Sequence, residues 1–441
     1  MLLQNWWFTT LLGRGTPLQA PLQADIEADV LIIGGGAAGL AAALRLMGSG
    51  LKVVLLERNI CGGSSTGKSA GFLTPDSELE LSQLIRRFGP EGARQLWEVP
   101  TKGIEIMRSA IGRHELVCDF IPQDSLFLGN DPSGWNDVVT ESVSRERLGY
   151  GHALYAAGEL PAILGSRAFT GGIRYSGTYG IDALQYAQGV KQVLLRGGVA
   201  VYEASEVRRI EDHRAFTHLG SVKAGAIIFC ADKPKPELTP YSRNVYHAQT
   251  FLSISEPLTD KEVEAMFPAG QLQCWDSDLV YSYFRLTGDQ RLLLGGGSMF
   301  TTFARQDTTE PDVILHVIEK FKAKFPMLRN VQFIQYWPGR IDCTRDLLPT
   351  VGRDRDHPWI HFVLGCVGLP WATFCGDFAA RHVLNDASED KRYYHYFRAD
   401  RPFLLPLWSE KLLGKQLVFS LNNGWSKYYQ VDEQTAAPDH G

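Results

Sequence analysis

The sequence predicts a mixed α/β protein in which a parallel-sheet nucleotide-binding domain is interrupted by an α+β domain on an antiparallel sheet. Three observations predict it. Residues 28–58 carry an apolar strand, a glycine turn, a small-residue helix, a second apolar strand and an acid, in that order. Residues 246–337 change texture to successive strands, with one helical stretch at 311–325. After residue 337 a glycine-rich α/β texture returns, so the C-terminal part completes the first domain.

The opening unit is justified residue by residue. Residues 30–33 are an apolar strand. Gly34 allows the tight turn, Gly36 lets backbone approach a pyrophosphate without a Cβ in the way, and Gly39 lets the helix lie close on the strand. Ala37, Ala38, Ala41, Ala42 and Ala43 form the helix. Its N-terminus offers N–H groups and a positive dipole end to phosphates. Residues 53–56 make the second strand, which ends on Glu57. Glu57 stands 21 positions after Gly36, where a carboxylate accepts hydrogen bonds from ribose hydroxyls. A lone glycine triplet is a weak signal, whereas all five parts in order are specific. The unit is Rossmann-like.

The remaining elements follow from periodicity. Residues 91–112 read as helix, with Ala93, Leu96, Trp97, Ile104, Ile106 and Met107 at helical spacing. Residues 118–129 read as strands with a turn. Residues 181–198 read as a helix closed by glycine and followed by the strand VAVYEA. A hairpin at 207–219, the strand AGAIIFCA at 224–231 and a proline-rich break at 233–240 come next. HAQTFLSIS, LVYSYFRLT and RLLLGGG read as antiparallel strands, with helix 311–325 on them. No internal repeat or low-complexity tract is present.

Composition narrows the function. The 441 residues suffice for two or three domains with a large core. Apolar content of 44% and charge of 21% fit a globular chain, and a net charge of −5 gives no basic face for nucleic acid. Seven cysteines without C-x-x-C spacing suggest neither zinc nor a disulfide framework, and reduced thiols in a cytoplasmic protein are the simplest reading. No metal site is expected. No apolar run approaches the roughly 18–20 residues that span a bilayer. Two stretches, Trp6, Trp7 and Phe8 and the aromatic, basic tail at 393–429, carry residues used at membrane interfaces. Packing on the protein surface is the favoured reading of both.

Several motifs allow two readings. GGSSTGKS at 62–69 matches the phosphate loop of NTPases, but the strand before it already ends on Glu57 and Pro75 shortens any following helix. A loop on a bound cofactor, with Lys68 close to it, is favoured. Tyr281, Tyr283 and Arg285 alternate along one strand and share a face. That face suits either a pocket that stacks and holds an anion or a solvated edge. Trp337 is pocket wall or core, and Arg340 and Asp342 alternate and can pair with each other. His152 and His361 read as ordinary histidines.

Four stretches together resemble the flavoprotein oxidoreductases of the D-amino-acid oxidase, glycine oxidase and sarcosine oxidase family, nearest to its gamma-glutamylputrescine oxidoreductase branch. They are the Gly34 to Glu57 unit, the loop TGKSAG at 66–71, Gly180-Ile181-Asp182 leading on to Val207, and WPGRIDCTRDLLPTVG (337–352) followed by GCVGLPWATFCG (365–376). The resemblance covers about residues 25–385. It implies a Rossmann-like FAD-binding domain (25–90, 150–235 and 338–388) interleaved with an antiparallel-sheet substrate domain (91–149 and 236–337), plus a C-terminal extension (389–441). It implies non-covalent FAD held by Gly34, Gly36, Ala37, Ala38, Gly39, Glu57, Arg58, Thr66, Gly67, Lys68, Ser69, Ala70, Val207, Ala231, Gly339, Arg340, Gly365, Gly368, Leu369, Pro370 and Trp371. Candidate catalytic residues are Tyr283, Arg285, Arg340, Trp337 and Lys68. A covalent flavin bond from Cys343 or Cys366 is the disfavoured alternative.

The departures bear on substrate. The family strand ends A-T-G, but here it ends Ala231-Asp232-Lys233, and the late loop Gly365 to Pro370 is two residues shorter. The family arginine that holds a substrate carboxylate aligns with Ile341; Arg340 is one residue early and points the other way on a strand. The expected activity is therefore oxidation of the C–N bond of an amine or amino-acid-like substrate by hydride transfer to flavin N5, with dioxygen or another electron acceptor. The alternatives are a dehydrogenase of a 2-hydroxy acid or secondary amine passing electrons to quinone, and an FAD-binding protein without turnover.

Overall fold

In the computed structural model the chain is described over residues 1–421, apart from 14, 16, 77, 233, 279, 298–307, 387–391, 402–404, 407, 416 and 420. Lys233 and much of the expected C-terminal extension therefore lie outside the described residues. β1 (Leu2–Leu3) and α1 (Trp6–Gly13) precede β2 (Asp25–Ile33), α2 (Ala37–Leu46) and β3 (Val53–Leu56). Then come β4 (Phe72–Leu73), α3 (Leu81–His114), β5 (Ile121–Pro122), β6 (Asp124–Gly129) and α4 (Pro132–Leu148). The middle holds β7 (Ala153–Ala156), β8 (Gly171–Tyr175), β9 (Tyr179–Gly180), α5 (Ala183–Arg196), β10 (Ala200–Tyr202), β11 (Arg209–Glu211), β12 (Arg214–Phe216) and β13 (Ser221–Phe229). The last part holds β14 (Val245–Pro257), α6 (Asp260–Met266), β15 (Leu272–Asp276), β16 (Tyr283–Leu286), β17 (Arg291–Gly296), α7 (Asp312–Lys324), β18 (Phe333–Thr344), β19 (Thr350–Arg353), β20 (Ile360–Leu364) and α8 (Leu369–Val383).

The nucleotide sheet runs β10-β3-β2-β13-β20 in parallel, with β19 antiparallel on β20 and the β11-β12 hairpin on the start of β13. Its central strands are covered on both faces, which is why residues 30–33 and 53–56 are continuously apolar and buried. Small residues let the helices close on one another. A Cβ at Gly376 of α8 would sit 1.9 Å from the Ala38 carbonyl of α2, and one at Gly103 of α3 would sit 1.9 Å from the Pro370 carbonyl. Asp182 caps α5, accepting from Leu184 and Gln185 N–H at 3.0 Å each.

The second sheet runs β1-β18-β14-β17-β16-β15-β6-β8-β7 and is antiparallel except at β1–β18 and β15–β6. Ile314, Val317, Ile318 and Phe321 of α7 pack on it. β7 and β8, grouped by the sequence reading with the nucleotide domain, belong to this sheet, β8 pairing with β6 and β7 with β8. Residues 91–112 are part of the longer α3, which breaks at Gly89 (φ +69°) before Pro90. The strand β15 and helix α6 escaped periodicity because both are short. The N-terminal aromatics pack inward: Trp7 is 2% exposed, edge-on to Trp337 at 6.3 Å, and its indole N–H donates to the Ser69 carbonyl at 3.0 Å.

Candidate active site

Between the glycine turn and the second sheet lies a cleft of about 1080 Å³. Its floor is the turn itself. Gly34 takes φ +106°, and a Cβ on Gly39 would fall 1.8 Å from the Gly34 carbonyl oxygen, so strand and helix touch through backbone. Gly36, Ala37 and Ala38 bring the N-terminus of α2 to the cleft. The Thr66 hydroxyl accepts from the Ala37 N–H at 3.0 Å, tying the 66–70 loop to that helix start. Glu57 lines the cleft at 7% exposure; its two oxygens accept from Gly35 N–H (2.7 Å) and Asn59 N–H (2.8 Å). Burial raises its carboxyl pKa against those two hydrogen bonds. Each oxygen keeps a second lone pair for a ligand hydroxyl.

A polar knot closes one wall. Asp232 accepts from Arg58 at 2.9 Å and from the Ser64 and Ser65 hydroxyls at 2.6 Å each. The departure from the family's A-T-G thus places a carboxylate on a guanidinium, so two charges at the cleft offset each other. Val207, Ala231 and Gly365 also line the cleft, as expected. Gly365 (φ +64°) and Gly368 (φ +89°) make the turn into α8, and Cys366 and Ala372 line the wall beside it. Leu369, Pro370 and Trp371 are buried, with Leu369 and Trp371 in the core, and the cleft at this helix start is lined by Gly365, Cys366 and Ala372. Cys343 is buried, donates to the Tyr246 carbonyl, and has its thiol pKa pushed up by burial, which argues against a covalent flavin link there.

On the other side stands the second sheet. Its register pairs Ala248 with Ile341, Thr250 with Gly339 and Leu252 with Trp337. Directly opposed residues share a face. Ile341 therefore lies on the inward face, with Gly339, whose Cβ position is 3.7 Å from the Lys68 carbonyl. Arg340 pairs with Gln249 and Asp342 with His247 on the opposite face, so the Arg340 side chain is directed away from the Lys68 backbone; its carbonyl accepts from Ser65. His247 Nδ1 pairs with Asp342 at 2.8 Å. Trp337 is core: it is 2% exposed and its indole donates to the Lys68 carbonyl at 3.1 Å. Gly67 is buried, and Lys68, Ser69 and Ala70 form the link from Thr66 to this sheet. A strand, β4, follows the loop, in place of the helix an NTPase phosphate loop needs.

Arg285 requires the clearest correction. It is 0% exposed, and its guanidinium donates to the carbonyls of Ala70 (2.7 Å), Ile181 (2.6 Å) and Leu286 (2.9 Å). Gly71 and Gly180 make room for it; a Cβ on either would lie within 2.9 Å of a guanidinium nitrogen. Burial lowers its pKa to about 10, which still leaves it charged at neutral pH. Arg285 is a clamp between the domains. Tyr283 stays half-buried on the same strand, within hydrogen-bonding reach of Thr250.

The family model described as FAD dependent oxidoreductase matches residues 29–382. The chain belongs to that family. It is an FAD-dependent enzyme. A probable oxidoreductase, OrdL, of Haemophilus influenzae is 27% identical over 385 residues, 85% of this chain and 87% of that protein. The gamma-glutamylputrescine oxidoreductase of Escherichia coli is 29% identical over 343 residues, 75% of this chain and 78% of that protein. The crystal structure of glycine oxidase from Geobacillus kaustophilus superposes with a TM-score of 0.72 at 16% identity, covering 85% of this chain and 99% of that one, a likeness of fold. No helix among the described residues is long and apolar enough to cross a membrane.

The cleft fits FAD by its donor set: a turn at Gly34 and Gly36 that brings backbone to the cleft, a helix N-terminus, and a buried acid with acceptor capacity to spare. Sequence reasoning missed Ser64, Ser65, the His247–Asp342 pair and Glu78, and weighed Cys366 only as a disfavoured covalent flavin link. Only Glu78 had a local signal, the alternation of acids at Asp76, Glu78 and Glu80.

Proposed function

We propose that the enzyme oxidises the C–N bond of an amine or amino-acid-like substrate to an imine that hydrolyses, with dioxygen or another acceptor taking the electrons. The observation that carries this reading is the inward position of Ile341, where the family resemblance expects a carboxylate-holding arginine. With Arg285 engaged by three carbonyls, the inward face offers no cation from either position to anchor an α-carboxylate. The relative named gamma-glutamylputrescine oxidoreductase supports an amine.

Bound FAD supplies the two-electron acceptor. The chain does the rest. Backbone N–H groups at the start of α2 hold the pyrophosphate, and Glu57 holds the ribose. The N-terminus of α8, after the Gly368 turn, would stabilise negative charge on reduced flavin. The rings of Phe72, Tyr281 and Tyr283 would exclude water from the reacting carbon.

Anaerobic bleaching of the purified yellow protein tests the reading, with amines, N-methyl amino acids and hydroxy acids as the panel. Bleaching by an amine supports it. Bleaching by hydroxy acids alone, or protein that stays colourless with excess FAD, overturns it.

A further inference from the structure

The segment between β4 and α3 carries three carboxylates, and two of them, Asp76 and Glu80, engage each other. Asp76 pairs with Arg145 at 3.2 Å, and Arg145 also pairs with Glu141 at 3.0 Å. Glu80 accepts from the Trp275 indole at 3.1 Å and shares a hydrogen bond with Asp76. Glu78 is different. Its Oε1 accepts the Tyr281 hydroxyl at 2.9 Å, and no Lys, Arg or His among the described residues pairs with it.

Aromatic rings gather beside that carboxylate. Tyr281 and Tyr283 lie 5.7 Å apart, and Phe72 meets Tyr283 edge-on at 5.9 Å. Glu78, Phe72, Tyr281 and Tyr283 all keep accessible surface, although burial pushes the Glu78 carboxyl upward. The group borders the candidate flavin loop. Tyr283 reaches Thr250, Thr250 opposes Gly339, and Gly339 lies against the Lys68 carbonyl. A carboxylate amid ring faces is the chemistry that holds an organic cation: the charge pairs, and the rings' negative faces add cation–π attraction. It repels a carboxylate.

We propose that Glu78, with the faces of Tyr281, Tyr283 and Phe72, binds the substrate's ammonium group and so selects alkylammonium compounds over those recognised by an α-carboxylate. This rests on the amine-oxidising reading above and names the part of the site that chooses the amine.

Tetramethylammonium has no N–H and no nitrogen lone pair, so it serves as a cation that is not oxidised. It is titrated into FAD-loaded protein and followed by calorimetry and by the absorbance of bound flavin. Saturable binding is expected, weakened about tenfold in Glu78→Gln with flavin content unchanged. The same variant raises KM for the amine found by bleaching more than it lowers kcat. Should Glu78→Gln not fold, Tyr283→Leu carries the test, with weakened tetramethylammonium binding expected. Absence of binding to the unaltered enzyme, or equal binding in the variant, overturns the proposal. Acetate binding in place of tetramethylammonium also overturns it. Failure of the function reading shows separately, as protein that binds the cation while no amine bleaches its flavin.

Discussion

The nucleotide cleft is walled by backbone and small side chains, whereas beside the second sheet stand phenols, a phenyl ring and a carboxylate. The cleft shape is set by where Cβ atoms are missing, at Gly34, Gly36 and Gly39. The sheet face is set by which side chains three separate stretches bring together: Phe72 and Glu78, Thr250, and Tyr281 and Tyr283. A backbone wall tolerates almost no substitution at its glycines, and a side-chain wall can be altered without unmaking the fold. On the proposed reading, cofactor binding rests on the backbone wall and substrate choice on the side-chain wall.

Arg58 and Arg285 make the same contrast with one residue type. Arg58 stands at the cleft, 35% exposed and paired with Asp232. Arg285 is sealed, with carbonyls as its partners. Exposure and partner chemistry separate a ligand-side guanidinium from a structural one.

The largest effect is expected at the backbone wall. Gly39→Val drives its side chain into the Gly34 carbonyl and should abolish FAD retention or folding, read as loss of yellow colour and of soluble protein. Full retention would break the contrast.

Arg285→Leu removes the donor to the buried Ala70 and Ile181 carbonyls, while the Leu286 carbonyl keeps the Gln123 amide; it should cost on the order of 3–5 kcal/mol, seen as a lowered midpoint in denaturant. Changed kinetics with an unchanged midpoint would return Arg285 to the ligand side.

Glu57→Gln exchanges one of two carboxylate acceptors for an amide N–H₂. FAD should bind about tenfold more weakly, measured by flavin release on dilution. Equal retention would remove Glu57 from the ribose.

The smallest effect is a pH dependence behind the cleft. Burial, with Arg353 and His382 nearby, lowers the His361 pKa to about 4, below its ordinary 6.5. His361 is neutral when folded, so its contribution is full above about pH 6.5 and is lost as pH falls through about 4. Asp182 runs oppositely: burial raises it to about 6, so its contribution is present below about pH 3.8 and lost as pH rises through about 6. The difference in melting temperature between wild type and His361→Gln isolates the histidine. It should narrow between pH 6.5 and 4, and a constant difference would refute the assignment.

The nucleotide half was legible because its parts lie within about thirty consecutive residues and each answers one local demand of turn, helix or strand. Ile341 was legible too, because a strand's period of two determines which neighbour shares its face. Arg285 was not: alternation put it rightly with Tyr283, but Gly71 and Gly180, which open the channel for its guanidinium, come from distant segments. Trp337 was open between wall and core until α1 supplied Trp7.

By itself the sequence determined the Rossmann-like unit, the cofactor class and the lack of an inward arginine at 341, since each depends on short-range spacing. Only the tertiary structure decided that Arg285 clamps, that Asp232 meets Arg58, and that Glu78 stands among aromatic rings. Those outcomes depend on long-range register and on which carbonyls and charges burial brings within reach, and neighbouring residues do not encode that.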